Sequence, residues 1–171
     1  MLLGCSESSA EVLDSQVLEP FEPQIEVGNF DGLIERVESY RGTPLLLNWW
    51  AMWCPPCVAE QPELLAVARE MRERGGAVIG ISDDLMLPDV TVAGTLVKLR
   101  QFIVERRVDI PVFLFDDATP FAVIQHFGLP GPIPVTLAVD AEGNIVDRHE
   151  GQANRARFVE MMENNKKQIG K

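Results

Sequence analysis

Two cysteines separated by two prolines, Cys54-Pro55-Pro56-Cys57, are the residues of this chain whose types and spacing could do chemistry. Thiols this close can pass between dithiol and disulfide and so carry two electrons themselves. The pair lies between an apolar run, Pro44–Trp50, and a segment in which Leu64, Val67, Ala68 and Met71 recur at helical spacing. A dithiol at a strand-to-helix junction sits at a helix N-terminus, whose unpaired N–H groups and dipole stabilise a thiolate. Pro55 and Pro56 suit the first helical turn, where their missing N–H groups cost nothing. Cys54, at the mouth of the helix, is therefore expected to attack a partner's disulfide, and Cys57, one turn further in, to resolve the mixed disulfide. The alternatives are half of a zinc site or a structural disulfide. Zinc needs four ligands, and beyond the pair only His126, His149 and the distant Cys5 offer nitrogen or sulfur. His126, on a short amphipathic stretch, suits packing better than ligation, and His149, at a strand end, is expected to be exposed. Redox chemistry is the favoured reading, with no metal and no organic cofactor.

The elements that must position the pair follow from hydrophobic periodicity. Gln24–Val27 reads as a short edge strand. Leu33, Ile34, Val37 and Tyr40 recur at helical spacing, with Gly42 expected as a left-handed cap. Pro44–Trp50 is apolar enough for a strand buried on both faces. The dithiol helix ends at Gly75-Gly76, and Ala77–Ser82 is another buried strand. Thr91–Arg107 is a helix with Val92, Leu96, Leu99 and Ile103 inward and Lys98, Arg100, Arg106 and Arg107 outward, a solvated basic face. Val112–Phe115 is a strand, and Thr119-Pro120 should cap and open a short helix closed by Gly128. Val135–Val139 and Asn144–Glu150 form a hairpin, followed by a helix from about Asn154. This order is that of one mixed-sheet α/β domain.

Length and composition agree: 171 residues, 46% hydrophobic and 24% charged, allow one domain with a substantial core. Acids outnumber bases 26 to 15, giving a net charge of −11 that disfavours nucleic acid and anionic lipid surfaces as partners. Six of those acids lie in residues 1–26, which hold no Lys or Arg. Residues 1–23 lack sustained periodicity and read as a flexible acidic tail before a domain spanning 24–171. No stretch approaches the 18 or so apolar residues of a membrane span. Leu2-Leu3-Gly4-Cys5 nevertheless has the form of a bacterial lipobox, in which the cysteine becomes a lipidated N-terminus. On that reading Cys5 is a lipidation site, the chain begins inside a truncated signal peptide, and the acidic tail is the tether.

The segment NWWAMWCPPCVAEQPEL (48–64) resembles the active-site region of thioredoxin-like proteins, in particular the TlpA/ResA-like thiol–disulfide oxidoreductases. GPIPVTLAVDAEGNIVDRHEG (131–151) resembles that branch's second signature, at the right order and distance. The resemblance covers most of residues 24–171. It implies a thioredoxin fold, a central mixed β-sheet flanked by helices, with an extra βα insert between Ala77 and Phe115. It also implies a cis peptide at Ile133-Pro134 facing the dithiol, with the Ile133 main chain offered to an extended substrate. Trp53 would be a flat apolar contact for partners, and Pro62 the family's helix-kinking proline. Many thioredoxins carry a buried aspartate where this chain has Asn48, which cannot ionise. Glu60, on the same helix face as Cys57, is the substitute candidate for proton exchange; the ResA-like branch has a glutamate there.

The resemblance implies a monomeric extracytoplasmic reductase of partner-protein disulfides, re-reduced by a membrane thiol donor, and the lipobox-like start adds a periplasmic or lipid-tethered setting through Cys5. Its clients would include the heme-binding cysteines of apocytochrome c. A copper-binding chaperone on the same fold is the alternative, but such proteins typically have three residues between the cysteines. A thiol peroxidase is weaker, since no Thr-x-x-Cys motif is present. A non-catalytic interaction module would have no need of the intact pair.

Overall fold

The computed structural model describes residues 21–118 and 120–165. Six strands and five helices follow in the order β1 (Ile25–Gly28), α1 (Phe30–Glu38), β2 (Leu45–Trp50), α2 (Pro55–Glu73), β3 (Ala77–Ser82), α3 (Val92–Arg106), β4 (Val112–Phe115), α4 (Phe121–Phe127), β5 (Val135–Val139), β6 (Ile145–Glu150) and α5 (Arg155–Asn164). The strands form one sheet ordered β1-β4-β3-β2-β5-β6. β1, β4, β3 and β2 are parallel neighbours, and β5 and β6 run antiparallel to what precedes them. The extra βα insert falls within the stretch β3–α3–β4, and β4 lies between β3 and the edge strand β1.

β2 is the centre of the molecule, and all six of its residues are buried. Side chains alternate across a strand, so its composition is a statement about two cores. Leu46 and Trp50 face a core shared with α2, α3 and α5, represented by Leu64, Leu99, Ile103 and Phe158. Leu45, Leu47 and Trp49 face a second core shared with α1 and α4, represented by Leu33, Val123 and Phe127. Gly80 on β3 keeps the first core closed, because a Cβ there would meet the Trp50 indole nitrogen at 2.7 Å. The indole instead packs against Phe102 of α3 and ties the insert to β2.

The expected elements are present, with differences at their ends. Helix α1 stops at Glu38 with Ser39 as its cap. Gly42 does adopt a left-handed φ of 88°, but in the turn beyond, where its N–H donates to the Ala141 carbonyl. The helix start, missed in the sequence, is set by Asn29, whose side chain accepts from the Gly32 N–H. Pro120 is the N-cap of α4 rather than its first helical residue, Thr119 lies outside the described residues, and Gly128 closes α4 in the left-handed region as expected. The basic face of α3 is exposed, as its periodicity requires. His149 is half-buried rather than exposed, because Arg157 of α5 reaches across β6 to its Nδ1 and to both carboxylate oxygens of Asp147.

Candidate functional site

Strand β2 delivers the chain through Ala51–Trp53 to Cys54, which is the N-cap of α2. Its extended backbone turns the sulfur back over the first helical turn, where Sγ accepts the Cys57 N–H at 3.3 Å. A sulfur here does what a serine or aspartate oxygen does at other helix starts, and the same N–H would stabilise it as a thiolate. Pro55 and Pro56 occupy the first two helical positions. Cys54 and Cys57 are joined as a disulfide, with Cys57 fully buried and Cys54 only 4% exposed. The approach loop is held from β3: Met52 N–H donates to Asp84 Oδ1 at 2.9 Å, and Ser82 Oγ donates to Oδ2 at 2.7 Å. Burial pushes the Asp84 carboxyl up, against the pull of those two bonds. The Asp83 N–H continues the ladder by donating to the Trp50 carbonyl.

One turn beyond Cys57, Glu60 is 1% exposed and fully paired. Its Oε1 accepts from Asn48 Nδ2 at 2.9 Å and its Oε2 from the Ala153 N–H at 2.7 Å. The same Asn48 nitrogen donates to Thr136 Oγ1 at 2.9 Å, so one amide links α2 to β2 and β5. Burial pushes the Glu60 carboxyl above its ordinary value, and the bonds from Ala153 and Asn48 only partly oppose that. Asn48 therefore serves as a tether, a role for which its inability to ionise is no handicap.

The opposite side of the dithiol is open. The Ile133-Pro134 peptide is cis, and the Ile133 carbonyl oxygen lies 3.8 Å from Cys54 Sγ. Between them and the ends of β2, β3 and β4 is a cavity of about 470 Å³, walled by Trp49, Phe115, Val123, Ile124 and Leu129. Trp53, 44% exposed, stands at its rim beside Cys54. The buried indole N–H of Trp49 has no acceptor among the described residues. Asp83 is the one charged side chain among the described residues of the lining, and no donor among the described residues reaches its carboxylate. Burial, and secondarily the adjacent Asp84, push its pKa to about 7.

The structure thus brings Trp53, Cys54, Cys57, Ile133 and Pro134 to one place, with Glu60 behind them. Cys5 lies outside the described residues. His126 and His149 are apart from the cavity; His126 is exposed and packs edge-on against Phe30 and Phe127. Pro62 lies inside α2, as expected. Sequence reasoning missed Asp83 and Asp84. The available signal was their place at the carboxyl end of a strand parallel to the one that carries the dithiol, where α/β sheets form their crevices.

The geometry has counterparts among known proteins. A family model described as "AhpC/TSA family" matches residues 21–148. The chain is 21% identical over 140 residues to thiol-disulfide oxidoreductase ResA of Bacillus thuringiensis subsp. konkukian, covering 82% of this chain and 73% of that one. It is 25% identical over 135 residues to thiol-disulfide oxidoreductase ResA of Halalkalibacterium halodurans, covering 79% and 69%. The crystal structure of a thioredoxin-family thiol:disulfide interchange protein from Chlorobium tepidum TLS superposes with a TM-score of 0.58 at 26% identity, covering 74% and 81%. A disulfide at the N-terminus of α2, on this sheet and with these relatives, leads to one conclusion: the chain belongs to the AhpC/TSA family, as a thioredoxin-fold thiol–disulfide oxidoreductase of the ResA type.

Proposed function

We propose that this oxidoreductase works as a reductase of partner-protein disulfides outside the cytoplasm. The observation that carries the exchange chemistry is the asymmetry of the pair, Cys54 bordering an open cavity beside the Ile133 main chain while Cys57 is sealed, and the direction, reduction, is what the resemblance to the TlpA/ResA-like branch implies. Cys54 thiolate attacks one client sulfur; a Cys54–client disulfide forms as the client S–S bond breaks, and the departing thiolate takes up a proton. Cys57 then gives its proton to Glu60 and attacks Cys54 Sγ. The Cys54–Cys57 disulfide forms, the second client thiolate leaves, and the proton held by Glu60 returns to it. Two electrons have passed from protein to client, and a membrane thiol donor restores the dithiol.

Ile133 and Pro134 receive an extended client segment, and Trp53 covers it with a flat apolar face. Lipid on Cys5 holds the domain at a membrane by a long acidic tail. That would reconcile membrane residence with an acidic protein in which no described helix is long and apolar enough to cross a bilayer. Clients in this setting include the heme-binding cysteines of apocytochrome c.

A Cys57→Ser trap tests the reading. The reduced wild type should reduce insulin disulfides, and the trap should accumulate client proteins bound through Cys54 that dithiothreitol releases. Reduced wild type that leaves insulin intact, with a trap that captures nothing, would overturn the reductase assignment.

A further inference from the structure

The carboxylate behind Cys57 is reached from the sheet edge through a single peptide group. Ala153 N–H, which donates to Glu60 Oε2 at 2.7 Å, belongs to the same planar amide as the Gln152 carbonyl. That carbonyl oxygen lies 3.3 Å from His149 Nε2. Which ring nitrogen carries the proton is fixed from the other side of the ring. Asp147 holds Arg157 end-on, through Nη1 at 3.0 Å and Nη2 at 2.6 Å, which leaves the Arg157 Nε–H to donate to His149 Nδ1 at 3.4 Å. A guanidinium can only donate, so Nδ1 accepts, and the proton of the neutral ring is on Nε2, facing the Gln152 oxygen. A proton offered to an amide oxygen draws electron density from the amide nitrogen and makes the N–H at the other end a stronger donor. The sheet aligns the same residues: His149 pairs with Thr136 across β5 and β6, and Thr136 with Asn48 across β2 and β5. Residues directly opposite share a face, so the side-chain and peptide routes to Glu60 both start from one cross-strand row.

We propose that His149 is a positioning residue for Glu60, acting through the Gln152–Ala153 peptide to hold the carboxylate that takes up the Cys57 proton. The proposal rests on the reductase reading above, and it deepens that reading by tying the resolving half of the reaction to a side chain on the edge strand β6. The partners bonded to Glu60, the Asn48 amide and the Ala153 N–H, are uncharged. At the ring the charged groups are Arg157 and, bound to it, Asp147 and Glu160. Burial raises the proton affinity of Glu60 and the Ala153 bond opposes that, so strengthening this bond keeps the carboxyl nearer its ionised form.

NMR of the reduced, isotope-labelled, full-length protein reads both ends of this relay. The ring nitrogens of neutral His149 should show the Nε2–H form. The Glu60 carboxyl carbon, identified by its loss in Glu60→Gln, gives the pH midpoint of that group. His149→Leu should raise the midpoint by at least about 0.3 pH unit, the order expected when one cooperative bond strengthens a charge-assisted one by roughly a tenth to a third. His149→Gln, whose amide can offer a proton to the Gln152 oxygen, should restore it. Resolution of the mixed disulfide with glutathione, followed against pH, should move its midpoint with the carboxyl, while attack by Cys54 keeps its profile.

A proton on Nδ1 in the neutral wild-type ring would overturn the relay, and this measurement stands even if His149→Leu does not fold. A Glu60 midpoint unmoved by His149→Leu, or left unrestored by His149→Gln, would overturn it too. A resolution profile that stays in place while the carboxyl midpoint moves would overturn the role in the reaction. Each of these outcomes leaves the reductase reading standing as long as the wild type exchanges with glutathione disulfide. Reduced wild type that exchanges with neither insulin nor glutathione disulfide would overturn the reductase reading itself, while the NMR midpoints would still report the coupling of His149 to Glu60.

Discussion

Asn48 and Trp49 are neighbours on β2, yet they belong to two opposite kinds of region. Asn48 turns toward α2 and joins Glu60, Thr136 and the Ala153 N–H in a buried network whose acid is fully paired. Trp49 turns toward α4 and walls an open apolar cavity whose acid, Asp83, has no described donor. Each region lies beside one sulfur: the network is behind Cys57 and the cavity in front of Cys54. Both acids are displaced upward by burial, but with different stakes. In the paired network an acid is part of the fold, and removing it strands its donors. In the cavity an acid is a cost to the fold, tolerable only where function uses it.

The cysteines themselves give the largest effect and test the division directly. Cys54→Ser should lower turnover by at least about a thousandfold, since a serine hydroxyl cannot replace the attacking thiolate. Cys57→Ser should spare the first attack and stop at the mixed disulfide. Glu60→Gln should then lengthen the life of the mixed disulfide formed by the protein with both cysteines while leaving the rate of attack by Cys54 unchanged. Equal slowing of both steps, measured by quenched time courses, would dissolve the assignment of one region to each sulfur.

Stability separates the regions next. Glu60→Leu leaves the Asn48 amide and the Ala153 N–H without their acceptor and should cost about 2–4 kcal/mol in urea unfolding. Glu60→Gln should cost far less, because the Asn48 amide can turn its oxygen toward both the introduced side-chain amide and the Thr136 hydroxyl. The pH dependence has a definite sign. The Glu60 carboxyl is held above its ordinary 4.5, so the folded protein keeps this proton longer than the unfolded chain does. Stability from this group falls as pH rises from about that value and levels off once the folded carboxyl has ionised. Glu60→Gln should flatten that decline, and an unchanged slope would remove Glu60 as its source.

The two regions also differ in how far they could be read from the sequence. The dithiol, its strand-to-helix setting and the apolar run of β2 are local patterns, and each appears in the structure where the sequence places it. Glu60 was legible as a residue one turn from Cys57, but the loop that supplies the Ala153 N–H is 93 positions away. Only the packing of α5 against α2 brings it there. The cavity was less legible still. Its walls come from β2, β4, α4 and the loop before β5, and no period in the sequence marks residues that converge from four elements. Asp83 and Asp84 read locally as a polar turn after a strand. What distinguishes them is the parallel pairing of β3 with β2, which sets that turn against the dithiol loop.

The Asp pair gives smaller effects that sharpen the contrast within two adjacent residues. Asp84 is an anchoring acid like Glu60, because it accepts from Met52 N–H and Ser82 Oγ. Asp84→Ala should therefore destabilise by about 1–3 kcal/mol and loosen the loop before Cys54, seen as faster amide exchange at Met52. Asp83→Asn should do the reverse. With its pKa at about 7 in the folded protein against an ordinary 3.8, Asp83 costs stability as pH rises through that window. An uncharged asparagine escapes the penalty. The variant should match the wild type near pH 4 and exceed it by about 1–2 kcal/mol at pH 8, since solvent reaching this half-buried carboxyl reduces the full linkage value. A stability difference that stays constant from pH 4 to pH 8 would mean that Asp83 carries no charge penalty. The cavity would then be as well paired as the network behind Cys57, and the contrast between the two sides of the dithiol would fail.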